Sequence, residues 1–141
     1  MRILIIGGSI RAAAESARRA DLVPMGIDLF ADRDTRAIAD VRRIALNDYP
    51  AGLVSLCEDL PEVPWFYTGA LENFPEVIDE LANHRPLWGN PGDVVRSCRD
   101  PFRLARLFRE EGIEFPAVRR HAPTRKLDHW LAKPLKSGGG H

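Results

Sequence analysis

Residues 2–20, "RILIIGGSIRAAAESARRA", decide the fold of this chain. The first half is a β-branched apolar run that ends in Gly7 and Gly8, and the second half is rich in residues that favour helix. The pattern predicts a strand, a tight turn and a helix in immediate succession. Such a succession opens a β-α-β unit, in which the helix crosses over between two parallel strands.

The same alternation continues as far as residue 90. Further strands are predicted over residues 23–30, 42–47, 63–69 and 85–90. Helices are predicted over residues 33–41, 50–60 and 74–84. Strands that alternate with helices indicate an α/β fold, here a Rossmann-like, mostly parallel sheet with helices on both faces. Ligands of such sheets collect at the carboxyl ends of the strands.

The pattern changes in the last third of the chain. Asp100 is predicted to cap a helix that begins at Pro101 and ends before Gly112. An extended segment and a final strand over residues 129–135 follow. We therefore expect a main domain over residues 1–97 and, over residues 98–141, a C-terminal helix with a partial extension.

Composition points to a globular protein. The chain has 141 residues, of which 45% are hydrophobic and 28% charged. No segment reaches the roughly 20 apolar residues that cross a bilayer, and the first apolar run is too short for a signal peptide. We expect a cytoplasmic protein that binds neither membrane nor nucleic acid, with Cys57 and Cys98 as reduced, partly buried thiols.

The zero net charge conceals a division along the chain. Residues 1–95 contain nine Arg and no Lys against fifteen acids, a sum of −6, and residues 96–141 contain eleven Arg and Lys against five acids, a sum of +6. The basic end favours a phosphate-bearing ligand, although a solvated helix face would also explain many of the arginines.

Polar and glycine residues follow the predicted strands and are candidates for substrate binding. They are Gly7, Gly8, Ser9, Arg11, Asp28, Thr68, Gly69, Glu72 and Asn73. The spacing from Gly8 to Asp28 fits an acid that holds a ribose, but the complete G-x-G-x-x-G pattern is absent. A tight turn without ligand, or with a small anionic substrate, is favoured over NAD, and Glu72 or Asn73 would otherwise cap a helix. The histidine spacing indicates no metal site, and no side chain is assigned a catalytic role.

The final stretch, "LAKPLKSGGGH" (131–141), has the chemistry of a phosphate-binding loop. Glycines let backbone N–H groups approach phosphate oxygens, and a lysine on the preceding segment adds a compact positive charge. The candidates are Lys133, Lys136, Gly138, Gly139 and Gly140. A flexible end is the alternative for residues 137–140, but it leaves the apolar run before them unexplained.

At this point the chain resembles the ATP-grasp ligases. Residues 2–20 with "GIDLFADRDT" (26–35) look like the Rossmann-like pre-ATP-grasp domain, "DPFRLARLFREEGIEFPAV" (100–118) looks like the entry to the lid, and residues 131–141 are similar to the "K-P-x-x-x-G-G-x-G" strand and loop. The resemblance implies that Lys133 contacts the α-phosphate of ATP and that the three glycines cover the β- and γ-phosphates. Asp100-Pro101 departs from the Asp-Lys found in many members.

The resemblance also implies a reaction. These ligases use ATP and magnesium to activate a small carboxylate as an acyl phosphate, which an amine then attacks. Their adenine hinge and magnesium ligands lie downstream of the glycine loop, so we expect this chain to be an N-terminal fragment that is inactive alone and binds no cofactor tightly. A homodimer through the C-terminal third is expected. The alternative function is a free-standing Rossmann-like module that binds a nucleotide or small anion.

Overall fold

The computed structural model describes residues 1–121 and 130–136. The chain divides into two compact units, unit 1 over Met1–Gly92 and unit 2 over Asp93–His141. A helix over Gly92–Arg99 runs across this division and across the predicted one after residue 97. The predicted domain limits therefore stay a prediction, and each unit is described by itself.

Unit 1 contains a four-stranded sheet in which every pair of neighbouring strands is parallel. The strands are β1 (Arg2–Gly7), β2 (Val23–Asp28), β3 (Asp40–Arg43) and β4 (Trp65–Tyr67). Their spatial order is β3-β2-β1-β4. Strands β2 and β3 thus follow one another on one side of β1, and β4 pairs with the other side of β1. This order confirms the predicted Rossmann-like α/β fold.

Helices cover the sheet on both faces. They are α1 (Arg11–Arg19), α2 (Arg33–Ile38), α3 (Leu53–Glu58) and α4 (Pro75–Ala82), with a short 3-10 helix over Leu71–Asn73. Helix α1 contacts α2, and α3 contacts α4. Ile3 and Ile5 of β1 pack with Ala14 of α1, while the alternate residues Leu4 and Ile6 are equally buried. Burial of both faces is the reason that β1 is an uninterrupted apolar run.

Two predicted strands are wrong in their limits. The third strand begins at Asp40 and ends at Arg43, because Val41 is the residue that pairs beside Gly26 in the sheet. The predicted residues 44–47 continue into a loop in which Leu46 is exposed. The predicted fifth strand is reduced to one parallel bridge between Leu87 and Trp65.

Unit 2 contains α6 (Pro101–Glu110) and all but the first residue of α5 (Gly92–Arg99). The predicted cap of α6 is confirmed, because the Asp100 carboxylate accepts hydrogen bonds from the N–H groups of Phe102 (2.9 Å) and Arg103 (3.2 Å). Gly112 ends the helix at a φ of +68°. Ile113 N–H donates to Phe108 O (2.7 Å), which closes a Schellman turn. Helix α5 was not predicted from the sequence.

Two further expectations about the last third are corrected. Residues 130–136 form no strand in the described part of the chain, and residues 131–136 are exposed, so no neighbouring strand pairs with them there. Residue 129 lies outside the described residues. Both cysteines are free, but Cys98 is exposed rather than partly buried, whereas Cys57 is buried. Across residues 1–121 and 130–136, no helix has the length and apolarity needed to cross a membrane.

Candidate functional site

The carboxyl edge of the unit 1 sheet brings two loops together. Strand β1 lies between β2 and β4, so the loop after β1 and the loop after β4 meet where the direction of strand succession reverses. Gly8 N–H donates to Gly69 O (3.0 Å), and the Thr68 hydroxyl donates to Ser9 O (3.0 Å). Parallel α/β sheets place their ligand crevices at this position.

The close approach of these loops depends on Gly7. A side chain at that position would collide with Oγ1 of Thr68. Ser9 and Gly69 are exposed, and a Cβ atom at Gly69 would meet no atom within 4 Å. The glycines therefore have different uses, since Gly7 makes room for the neighbouring loop while Gly69 leaves an open edge.

Asp28 is buried and accepts hydrogen bonds from the backbone of two loops. Its carboxylate accepts hydrogen bonds from the N–H groups of Ile10 (2.7 Å), Phe30 (2.6 Å) and Ala31 (2.6 Å). Ala31 has a φ of +43°, a conformation that a non-glycine residue adopts only when its surroundings hold it. Asp28 as a whole residue is only 1% exposed. Its carboxylate therefore positions the loops and offers no free oxygen to solvent.

Arg11 lies at the start of α1 with its side chain half-exposed. Its guanidinium is 3.6 Å from the carboxylate of Asp34 and 3.9 Å from that of Asp32. The hydrogen bonds from Thr35 to Asp32 are the main reason that the pKa of Asp32 is lowered, and Arg11 adds to that effect. Both ion pairs are exposed, so they contribute little to stability.

The loop after β4 is held in an unusual conformation. Ala70 has a φ of +86° and a ψ of −36°, which is a strained region for alanine. Its carbonyl accepts hydrogen bonds from the Asn73 backbone N–H (3.3 Å) and side-chain amide (3.5 Å). This turn places Glu72 and Asn73 in the 3-10 helix directly after the sheet edge. Backbone strain of this kind is found most often at binding sites.

Two tyrosines that were not among the predicted site residues lie near Glu72. Burial, and to a smaller extent the nearby charge of Glu72, raise the pKa of Tyr49 to about 12. The same two causes, in the same order, raise the pKa of Tyr67. Tyr67 donates a hydrogen bond to Asn90 O (2.8 Å), and the Tyr49 ring packs edge-on against Phe74. Tertiary folding brings Tyr49 near Glu72, whereas Tyr67 lies only five residues before Glu72 in the sequence.

Unit 2 has its own candidate site around Lys133. A cavity of about 520 Å³, called here the Lys133 cavity, is open on one side. Its walls include Arg99, Phe102, Phe115, Arg119, Trp130 and Lys133. The Arg119 guanidinium lies 5.3 Å from the centre of the Trp130 ring, a cation–π contact. Cavities of this size accommodate small-molecule ligands.

The other predicted residues of the tail are placed only in part. Lys136 is exposed and is not in the wall of the Lys133 cavity. Gly138, Gly139 and Gly140 lie outside the described residues. Within residues 1–121 and 130–136, no group of three His, Cys, Asp or Glu side chains is placed to hold a metal ion.

The strand order and the two loops at the sheet edge together define a Rossmann-like α/β domain whose loops meet at its switch point. Solved structures of N5-carboxyaminoimidazole ribonucleotide synthetase, an ATP-grasp enzyme, share this fold. The purK enzyme in its ADP complex is 21% identical, with a TM-score of 0.58, over 79% of this chain and 29% of its own. The Thermus thermophilus enzyme is 21% identical, with a TM-score of 0.58, over 81% of this chain and 31% of its own. The Staphylococcus aureus enzyme with ADP is 18% identical, with a TM-score of 0.58, over 79% of this chain and 30% of its own.

The similarity to these structures is one of fold. It confirms, at that level, the resemblance to ATP-grasp proteins that the sequence indicated. The chain spans a little under a third of the length of each of the three enzymes. No protein-family profile and no curated protein sequence matches the chain.

Proposed function

We propose that this chain is part of an ATP-grasp ligase that joins a small carboxylate to an amine at the expense of ATP. The observation that carries the proposal is the position of Lys133 in the wall of an open cavity of about 520 Å³. The shared fold supports it, and two of the similar structures hold ADP. In this proposal unit 1 supplies loops for the substrate, and unit 2 supplies one wall of the nucleotide site.

The residues around Lys133 suit a nucleotide. Lysine is a compact point charge that pairs with phosphate oxygens, and Arg99 and Arg119 bring two further cations to the same cavity. The rings of Phe102, Phe115 and Trp130 offer apolar surface for a base or ribose. We assign the α-phosphate to Lys133 and the more distal phosphates to Lys136 and the tail glycines, Gly138, Gly139 and Gly140. Bound ATP would supply the phosphoryl group that activates the carboxylate.

The substrate loops are assigned to the carboxyl edge of unit 1. Ser9 and Gly69 are exposed at this edge, beside the half-buried Gly8. Glu72 and Asn73 follow the edge in the 3-10 helix. Gly7, Arg11, Asp28 and Thr68 complete the proposed set. Within that set, Asp28 and Thr68 act through the backbone, because their side-chain oxygens are engaged with loop N–H and C=O groups.

Magnesium is part of the proposed reaction because phosphoryl transfer needs positive charge beside several phosphate oxygens at once. The proposal assigns its ligands to none of the described residues, in which no suitable acidic cluster is present. The 141-residue chain is therefore proposed to bind ATP weakly and to have no ligase activity. A cytoplasmic location and a homodimer through residues 98–141 stay predictions, the latter testable by light scattering before and after deletion of residues 119–141.

Calorimetry with Mg-ATP tests the proposal. The 141-residue chain should bind with a dissociation constant weaker than about 1 mM, because the residues assigned to ATP form only one wall of the proposed site. The longer ligase of this proposal should bind Mg-ATP more tightly and hydrolyse ATP only with a carboxylate present. In that protein Lys133→Ala should weaken ATP binding about ten-fold or more. Arg19→Ala, which removes an exposed cation at the end of α1, is the control and should change it less than two-fold, on the order of a surface charge effect.

Two results would argue against this proposal. Tight, magnesium-dependent ATP binding by the 141-residue chain would contradict the view that its site has one wall only. Tight binding of NAD or AMP by the chain, without any carboxylate-dependent reaction, would favour the free-standing nucleotide module instead.

A further inference from the structure

A second cavity of unit 2 lies between α6 and the segment that follows it. Its volume is about 400 Å³, within the range of small-molecule sites. We call it the α6 cavity, and its wall includes Phe102, Arg106, Arg109, Ile113, Phe115 and Val118. Lys133 is absent from this wall, although both cavities share Phe102 and the segment 115–118.

The Schellman turn at Gly112 explains why this cavity exists. The turn reverses the chain, so that the segment after Ile113 runs back along α6. The rings of Phe115 and Phe108 then lie 5.1 Å apart near the end of the helix. Farther back, the Arg120 guanidinium stacks 4.5 Å from the centre of the Phe102 ring at the helix start. These two contacts fix the segment at both ends and leave a gap between them.

The chemistry of the gap is both cationic and apolar. Arg106 and Arg109 are three residues apart on α6, a spacing that places side chains next to each other on a helix surface. Among the ion pairs of the described residues, none joins either guanidinium to a carboxylate. Ile113 is 53% exposed and contributes apolar surface beside them. The two guanidinium groups and this apolar surface line one cavity.

We propose that the α6 cavity binds a small organic anion. Arg106 and Arg109 take its phosphate or carboxylate group, because planar guanidinium groups match the geometry of these oxyanions. Phe115, Ile113 and Val118 pack against its ring or hydrocarbon body. This site does not depend on the proposed ligase function, because it uses neither Lys133 nor the loops of unit 1.

Calorimetry on the 141-residue chain with phenyl phosphate tests the site, with inorganic phosphate and phenol as half-ligands. Phenyl phosphate should bind about ten-fold more tightly than either half-ligand, because only it meets both the arginines and the apolar wall. Arg106→Gln and Arg109→Gln should each weaken its binding about ten-fold. Ile113→Ser should weaken phenyl phosphate but leave inorganic phosphate unchanged.

Arg103→Gln is the matched control. Arg103 is an exposed arginine of the same helix that does not line the α6 cavity, so its loss should change binding by less than about two-fold. The proposal is overturned if phenyl phosphate shows no binding at millimolar concentration, or if inorganic phosphate binds equally well. An equal loss in Arg103→Gln would also overturn it, because that result indicates general charge attraction.

Discussion

Unit 1 and unit 2 stabilise their structures in different ways. In unit 1, the β1 residues Leu4, Ile5 and Ile6 are fully buried, and hydrogen bonds between distant residues hold the loops at the sheet edge. In the described part of unit 2, Val95 is the one buried residue, and α6 buries none. Local features stabilise α6, namely the Asp100 cap and the turn at Gly112.

This difference bears on the two kinds of candidate site. The loops of unit 1 are fixed before any ligand arrives, because Asp28 at the end of β2 and Thr68 directly after β4 form hydrogen bonds with their backbone. Pre-organised groups lose little entropy on binding. In unit 2 the apolar side chains around the cavities remain partly exposed, and a ligand would bury surface that the fold itself leaves uncovered. The contrast can be tested with matched substitutions.

The largest effect is expected for a leucine pair. Leu53 in α3 is fully buried, whereas Leu107 in α6 is 49% exposed. Leu53→Ala should lower the free energy of unfolding by about 3 kcal/mol, because it removes buried methyl groups and leaves a cavity. Leu107→Ala should lower it by less than about 1 kcal/mol. Urea unfolding followed by circular dichroism measures both, and equal losses would contradict the comparison.

The next effect concerns the buried carboxylate. Asp28→Asn replaces one acceptor oxygen by an NH₂ group that faces backbone N–H donors, so it should lower the free energy of unfolding by about 2 kcal/mol. Asp34→Asn, the same change at a side chain that is 77% exposed, should cost about 0.5 kcal/mol or less. Hydrogen exchange should also quicken at Ile10, Phe30 and Ala31 in the first variant only. Unchanged exchange there would show that Asp28 does not position the loops.

The sequence was informative where local pattern and fold agree. Strands β1, β2 and β4 were located correctly, because each is an apolar run that ends at a polar or glycine residue. The third strand was misplaced because Val41 is followed by an equally strand-like run, and only pairing with β2 decides which part joins the sheet. The bridge at Leu87 stays short in part because Pro86 has no N–H to donate to a neighbouring strand.

The candidate site was predictable only in part for a similar reason. Gly7 and Gly8 were identified from their place after a strand, and the structure brings their loop against Thr68 and Gly69. The burial of Asp28 was not predictable, because twenty residues of spacing fit either a ribose contact or a backbone anchor. The surroundings of Lys133 were also missed, since Phe102 and Trp130 are distant from each other in sequence.

The smallest effect isolates the local stability of unit 2. Gly112 has a φ of +68°, where a Cβ atom is strained by roughly 1 kcal/mol, although no atom lies within 4 Å of that position. Gly112→Ala should therefore speed hydrogen exchange about five-fold at the backbone amides of residues 112 and 113. Gly112→Asn should do so less, because asparagine tolerates this conformation better. The Leu4 amide, which donates to Pro64 O in unit 1, should not change in either variant. A matching increase at Leu4 would mean that the two units share their stability, and the contrast between a tertiary core and a locally capped helix would then be wrong.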